Sequence, residues 1–125
     1  MTPKTIFKHY LDGLAAITQQ GDAREESFYP ALADLLARIA EAAGHPDVHV
    51  TTLPAPTDGG NPDFRIWNGT DRIIGYIEAK RPGEIHLDVV EASEQLKRYR
   101  HTFPNLILTN FLEFRLYRDG DQAES

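Results

Sequence analysis

The chain has no cysteine among its 125 residues. That excludes a disulfide framework, a thiolate metal site and a cysteine nucleophile together. It has no apolar run near the ~20 residues of a membrane-spanning helix, and its N-terminus lacks the basic-then-apolar order of a signal peptide. These absences make a cytoplasmic protein the expectation. Basic excess is missing too. The net charge is −6, against the footprint of a free-standing, tight nucleic-acid binder. The deficit is local: up to Gly60 the acids Asp12, Asp22, Glu25, Glu26, Asp34, Glu41, Asp47 and Asp58 face only Lys4, Lys8, Arg24 and Arg38. From Asn61 to His101 the signs balance, with Arg65, Arg72, Lys80, Arg81, Lys97, Arg98 and Arg100 in that stretch. The length suits one domain with one core.

What is present centres on Gly60-Asn61-Pro62-Asp63-Phe64-Arg65-Ile66-Trp67 and Ile73-Ile74-Gly75-Tyr76-Ile77-Glu78-Ala79-Lys80. β-Branched and aromatic residues make both segments strands, and Asn68-Gly69-Thr70-Asp71 between them is turn chemistry. Side chains alternate faces along a strand, and paired residues share a face. If Trp67 pairs with Arg72 across a four-residue turn, Asp63 stands opposite Tyr76 and diagonal to Glu78. Asp63, Glu78 and Lys80 then share one surface, the two carboxylates roughly 7–8 Å apart. An odd loop breaks that parity. Two carboxylates beside an ammonium suit a hard cation, which takes oxygen ligands, so Asp63, Glu78 and the Ala79 carbonyl are candidate ligands. Lys80 is then placed to orient a water or offset charge on a phosphate.

Pro62-Asp63, a spacer and Glu78-Ala79-Lys80 resemble the PD-(D/E)xK nuclease motif. The resemblance implies Mg²⁺-dependent phosphodiester hydrolysis, with Mn²⁺ able to substitute, on an α/β αβββαβ core whose mixed central sheet is flanked by helices.

The remaining chain is read around this hairpin. Thr2-Pro3 opens a helix by the N-cap and proline-at-N1 rule. Ile6, Tyr10, Leu14 and Ile17 form its apolar stripe, widened by Phe7, Leu11 and Ala15, and Gly21 ends it. A second helix runs from about Asp22 to Ala43, with Pro30 either kinking or restarting it. Glu25 lies on the same face as Phe28 and Leu32, and two readings stand for it: a capping box with Asp22, or an acid reaching the site. The resemblance favours the second, since such nucleases often carry an acid on the helix before the hairpin. The segment Arg24 to Leu32 is similar to that region in restriction-modification nuclease domains. Val48–Leu53 reads as a strand. His45 and His49 match no zinc spacing, and Gly59-Gly60 lack the Gly-Lys-Ser/Thr ending of a phosphate loop.

After Lys80, Asp88 and Glu91 form a capping-box candidate for a helix from about Val89 to Thr102, with Val89, Ala92, Leu96, Tyr99 and Phe103 inward. Gln95 and Tyr99 are one turn apart, similar to the Gln-x-x-x-Tyr element of the RecB-like branch, where the glutamine supports the site. Tyr99 alone reads equally as packing. Arg81, Lys97, Arg98, Arg100 and Tyr99 are the candidate DNA contacts, though for Lys97, Arg98 and Arg100 a solvated helix face reads as well. Asn105–Thr109 and Glu113–Arg118 are strands, and Asp119-Gly120 is a turn.

The chain is therefore expected to be a single domain over 1–125: an N-terminal helix over 1–21, a catalytic core over 22–118 and a frayed tail over 119–125. It resembles the N-terminal nuclease domain of type IIG or type ISP restriction-modification enzymes. That implies DNA as partner, a fused methyltransferase and target-recognition domain in the longer protein, and dimerisation for double-strand cleavage. The competing readings are a non-catalytic DNA-binding or assembly module with a nuclease-like fold, and a nuclease for repair or junctions.

Overall fold

The computed structural model describes residues 2–84 and 86–124. Helix α1 (Pro3–Gln19) begins where Thr2 Oγ1 accepts the Thr5 N–H, with proline in its first turn. A 3₁₀ turn (Glu25–Phe28) leads into α2 (Tyr29–Ala42). Strands β1 (His49–Thr52), β2 (Phe64–Trp67) and β3 (Ile73–Ala79) form a meander. Helices α3 (Leu87–Glu91) and α4 (Glu94–Thr102) then cross to β4 (Asn105–Thr109), followed by β5 (Phe114–Arg118) and β6 (Asp121–Glu124).

The six strands form one sheet in the order β1-β2-β3-β4-β5-β6. Every neighbouring pair is antiparallel except β3 and β4, which are parallel because α3 and α4 carry the chain back between them. The protein is thus α/β, a mixed sheet with helices on both faces. Strand alternation divides the core. Phe64, Ile77 and Ala79 pack with Ile6, Tyr10, Leu14, Phe28, Tyr29, Leu32 and Leu35 of the α1/α2 layer. Leu106, Leu108 and Tyr117 pack with Leu87, Leu96, Tyr99 and Phe103 of the α3/α4 layer, with Tyr76 against them. Alternation along β3 therefore puts Glu78, between Ile77 and Ala79, on the same side as Tyr76.

Several expectations are corrected. The α1 stripe is narrow: Ile6 is 2% exposed but Phe7 is 45% and Leu11 is also exposed. The second helix has no capping box of Asp22 and Glu25. Ser27 Oγ instead accepts the Arg24 N–H, and Pro30, tolerated in a first turn, restarts the chain as α2. The helix expected from Val89 to Thr102 is broken at Ala92-Ser93, where the Ser93 hydroxyl accepts the Leu96 N–H and caps α4. Val89 consequently points outward, 70% exposed, and Leu87 takes the buried position. The tail is paired: Asp119 and Gly120 both have positive φ, 52° and 91°, the requirement of a tight hairpin turn, and β6 returns along β5. Ser125 lies outside the described residues.

The face assignment of α1 is directly measurable. Ile6→Ala is expected to cost about 2–5 kcal/mol in urea denaturation, whereas Phe7→Ala changes stability by no more than about 0.5 kcal/mol. Equal losses would mean that α1 packs through another face.

Candidate functional site

The hairpin reaches the expected convergence by a different register. Trp67 pairs with Ile73, not Arg72, and the Asn68 N–H bonds to the Arg72 carbonyl, so the loop has an odd number of residues. An odd loop alone would turn the carboxylates apart. A bulge between Ile66 and Trp67 shifts the register by one and offsets it, giving Ile66 opposite Gly75, Arg65 opposite Tyr76 and Phe64 opposite Ile77. Asp63 therefore lies beyond Tyr76, next to Glu78. Its own N–H bonds to the Ile77 carbonyl, and its Oδ2 accepts the Ala79 N–H at 2.8 Å. The aspartate side chain thus takes the place of a backbone acceptor where β2 begins.

Proline before Asp63 and glycine before that shape its entry. Gly60 has φ +130°, and a Cβ there would come within 2.7 Å of the Tyr99 ring. The Tyr99 hydroxyl accepts the Asn61 N–H at 3.1 Å, and the Gln95 amide reaches the same hydroxyl at 3.4 Å. Buried Tyr99, with exposed Gln95 against its hydroxyl, consequently holds the segment leading into Asp63. Among the described residues neither is hydrogen-bonded to Lys80 or to the carboxylates. Arg98 supports the same loop, its Nε donating to the Gly59 carbonyl at 3.0 Å.

Glu78 is 5% exposed. Its Oε2 lies 3.5 Å from Lys80 Nζ, and its Oε1 is buried with no hydrogen-bond partner. Burial first, and then the Asp63 carboxylate, push its pKa up to about 8, with Lys80 pulling the other way. Glu25 approaches from the α1/α2 side. Its pKa is raised by burial, opposed by the hydrogen bond from Tyr29, and it feels both Asp63 and Lys80. Tyr29 is the residue the sequence reading missed. Its hydroxyl donates to Glu25 Oε1 at 3.0 Å and stands beside Asp63; burial and then those two carboxylates hold it protonated well above the usual tyrosine range. A Glu25/Tyr29 spacing of four was the available signal, hidden because a 3₁₀ turn joins them.

Among the described residues no group of three His, Asp or Glu side chains is already drawn into a metal cage. Asp63 and Glu78 are the close pair, and Glu25 stands at their flank. The donor set nevertheless fits a divalent cation: two carboxylates, one oxygen of them buried and unpartnered, are what a hard cation would satisfy. The Ala79 N–H faces β2, and strand alternation turns its carbonyl to that side as well.

The proposed DNA contacts divide. Arg100 donates from Nε and Nη2 to the Gly120 carbonyl at 3.0 and 2.8 Å and covers the Tyr117 ring, so it ties α4 to the β5–β6 turn. Tyr99 is buried, and Arg98 is engaged with Gly59. Lys97, 4.0 Å from Glu94, and Arg81 are exposed.

Glu78 gives a pH dependence whose sign is fixed. Its folded pKa, about 8, exceeds the ordinary 4.5, so between these values the native state holds a proton that the unfolded chain releases. Its contribution is complete below the lower value and is lost as pH rises through the upper one. Without divalent cation, the Tm of the wild type should fall relative to that of Glu78→Gln between those limits. Parallel profiles would contradict the burial of Glu78.

No family model matches the chain, and no curated protein matches it. Among solved structures it is similar to a part of the chain in the cryo-electron microscopy structure of the DrdV–DNA complex, with a TM-score of 0.72 and 21% identity over 96% of its own length. It spans about 12% of the length of that protein. The likeness establishes a shared fold.

Proposed function

We propose that the chain is a metal-dependent DNA endonuclease domain of the PD-(D/E)xK type, acting in restriction of foreign DNA. The observation that carries the reading is the buried Glu78 carboxylate, one oxygen unpartnered, set beside Asp63 and within 3.5 Å of Lys80. Such a pair is costly without a cation. The fold shared with a segment of a protein bound to DNA supports DNA as the substrate.

Asp63 and Glu78, with the Ala79 carbonyl and with Glu25 directly or through water, would hold Mg²⁺, or Mn²⁺ in its place. When bound, the ion supplies charge neutralisation at the phosphate and acidifies water. Lys80, oriented by Glu78, positions the attacking water and offsets charge developing on the phosphoryl oxygens. The water oxygen forms the new bond to phosphorus as one P–O bond breaks, and a proton passes to the departing oxygen. Gln95 and Tyr99 are positioning residues acting through Gly60 and Asn61. Tyr29 keeps Glu25 turned toward Asp63. With a net charge of −6, the chain draws its DNA affinity and sequence choice mainly from fused methyltransferase and target-recognition domains. Cutting both strands requires two copies.

Two measurements test this reading. Mg²⁺ should raise the Tm of the wild type, more at pH 9 than at pH 6 because Glu78 must lose its proton, and Asp63→Ala should abolish the rise. Plasmid nicking by the chain in Mg²⁺ should fall by about 10²-fold or more in Lys80→Ala. No metal effect and no nicking, with DNA binding retained, would favour a non-catalytic module.

A further inference from the structure

Beside Glu25 the surface opens into a cleft of about 440 Å³, walled by Thr18 at the end of α1, by Ala23, Arg24 and Phe28, and by the Arg81–Gly83 link that follows Lys80. Its volume is in the range of small-ligand sites. Two arginines, Arg24 and Arg81, line it. Lys8, Lys80, Lys97 and Arg115 are in ion pairs, and Arg98 and Arg100 are bonded to backbone carbonyls. The side chains of Arg24 and Arg81 have no hydrogen-bond or ion-pair partner among the described residues. The Arg24 backbone is engaged on both sides by Ser27, whose Oγ accepts the Arg24 N–H and whose own N–H donates to the Arg24 carbonyl. Arg24 thus presents a side chain free for an external anion from a backbone fixed in place.

Resting on the nuclease reading, we propose that this cleft holds the phosphate next to the scissile one on the cleaved strand, with Arg24 and Arg81 as its clamp. Planar guanidinium forks suit phosphate oxygens, and two arginines lining one cleft specify a position as well as a charge. The location follows from continuity. Arg81 adjoins Lys80 in sequence, and Arg24 adjoins Glu25, so each wall continues from one flank of the Asp63–Glu78 pair. The wall at Glu25 is acidic and leads to Asp63 and Lys80. A phosphodiester strand passing the reaction centre therefore enters the cleft one step along.

The test is binding of a fluorescent DNA duplex of arbitrary sequence across a series of salt concentrations, with Ca²⁺ replacing Mg²⁺, by wild type, Arg24→Ala, Arg81→Ala and the double variant. Each single substitution is expected to weaken binding several-fold and to reduce the salt slope by roughly one, the double by about two. Lys4→Ala, at the far end of α1, should bind as wild type. All variants should keep the wild-type Tm and its rise with Mg²⁺, because the metal-binding side chains are untouched. Unchanged affinity and slope in the double variant, with Mg²⁺ stabilisation and plasmid nicking intact, would overturn the clamp and leave the nuclease reading standing. Wild type that shows neither nicking nor a metal effect would overturn that reading and the clamp with it.

Discussion

The arrangement depends on holding two carboxylates together where one of them is out of water. Glu78 is buried against the α3/α4 layer by strand alternation, so it cannot turn away from Asp63 without moving β3 through the core. Asp63 cannot turn away either, since its Oδ2 completes the sheet at the Ala79 N–H. The repulsion is relieved in part by a proton on Glu78 and in part by Lys80. A buried acid with an unpartnered oxygen is the kind of cost a fold keeps where something else binds.

Around this pair the architecture is a set of braces. The glycine-to-tyrosine approach at Gly60 and Tyr99 fixes how the chain enters Asp63. The parallel β3–β4 pairing continues to the Lys80 N–H, which donates to the Thr109 carbonyl at 2.8 Å and so anchors the strand end bearing Glu78 and Lys80. The following loop is tied down in turn: the Tyr10 hydroxyl donates to the Phe111 carbonyl, and the Asn110 amide donates to the Glu84 carbonyl. Phe111 sits there with φ 75°, a conformation a buried aromatic adopts only when its surroundings insist on it. Helix, sheet and loop thus meet at the end of the sheet that carries the acids.

Much of this was legible in the sequence. The order of the elements as far as β5, apart from the break between α3 and α4, the Thr2-Pro3 start and the placing of Asp63 and Glu78 on one face followed from periodicity, capping chemistry and strand parity. The register did not, because parity from a loop count cannot see a compensating bulge: an odd loop and the irregularity at Ile66/Trp67 cancel, and only coordinates separate that from an even loop. Tyr29 was hidden by a 3₁₀ turn that changes angular spacing. The roles of Arg98 and Arg100 were hidden for another reason. A charged residue on an amphipathic helix reads as solvated, while its partners here are the Gly59 and Gly120 carbonyls, distant in sequence. Asp88 falls inside the short helix α3, Ser93 caps α4, and with the chain broken between them Leu87 and Leu96 both reach the core.

The central proposal is that Asp63 and Glu78 would together hold a divalent ion. Crystals soaked in Mn²⁺ and measured for anomalous scattering test it most directly. The account predicts one strong peak between those two carboxylates and the Ala79 carbonyl, with Glu78 Oε1 among its nearest atoms. A well-ordered map with both carboxylates in place and no peak there would contradict it.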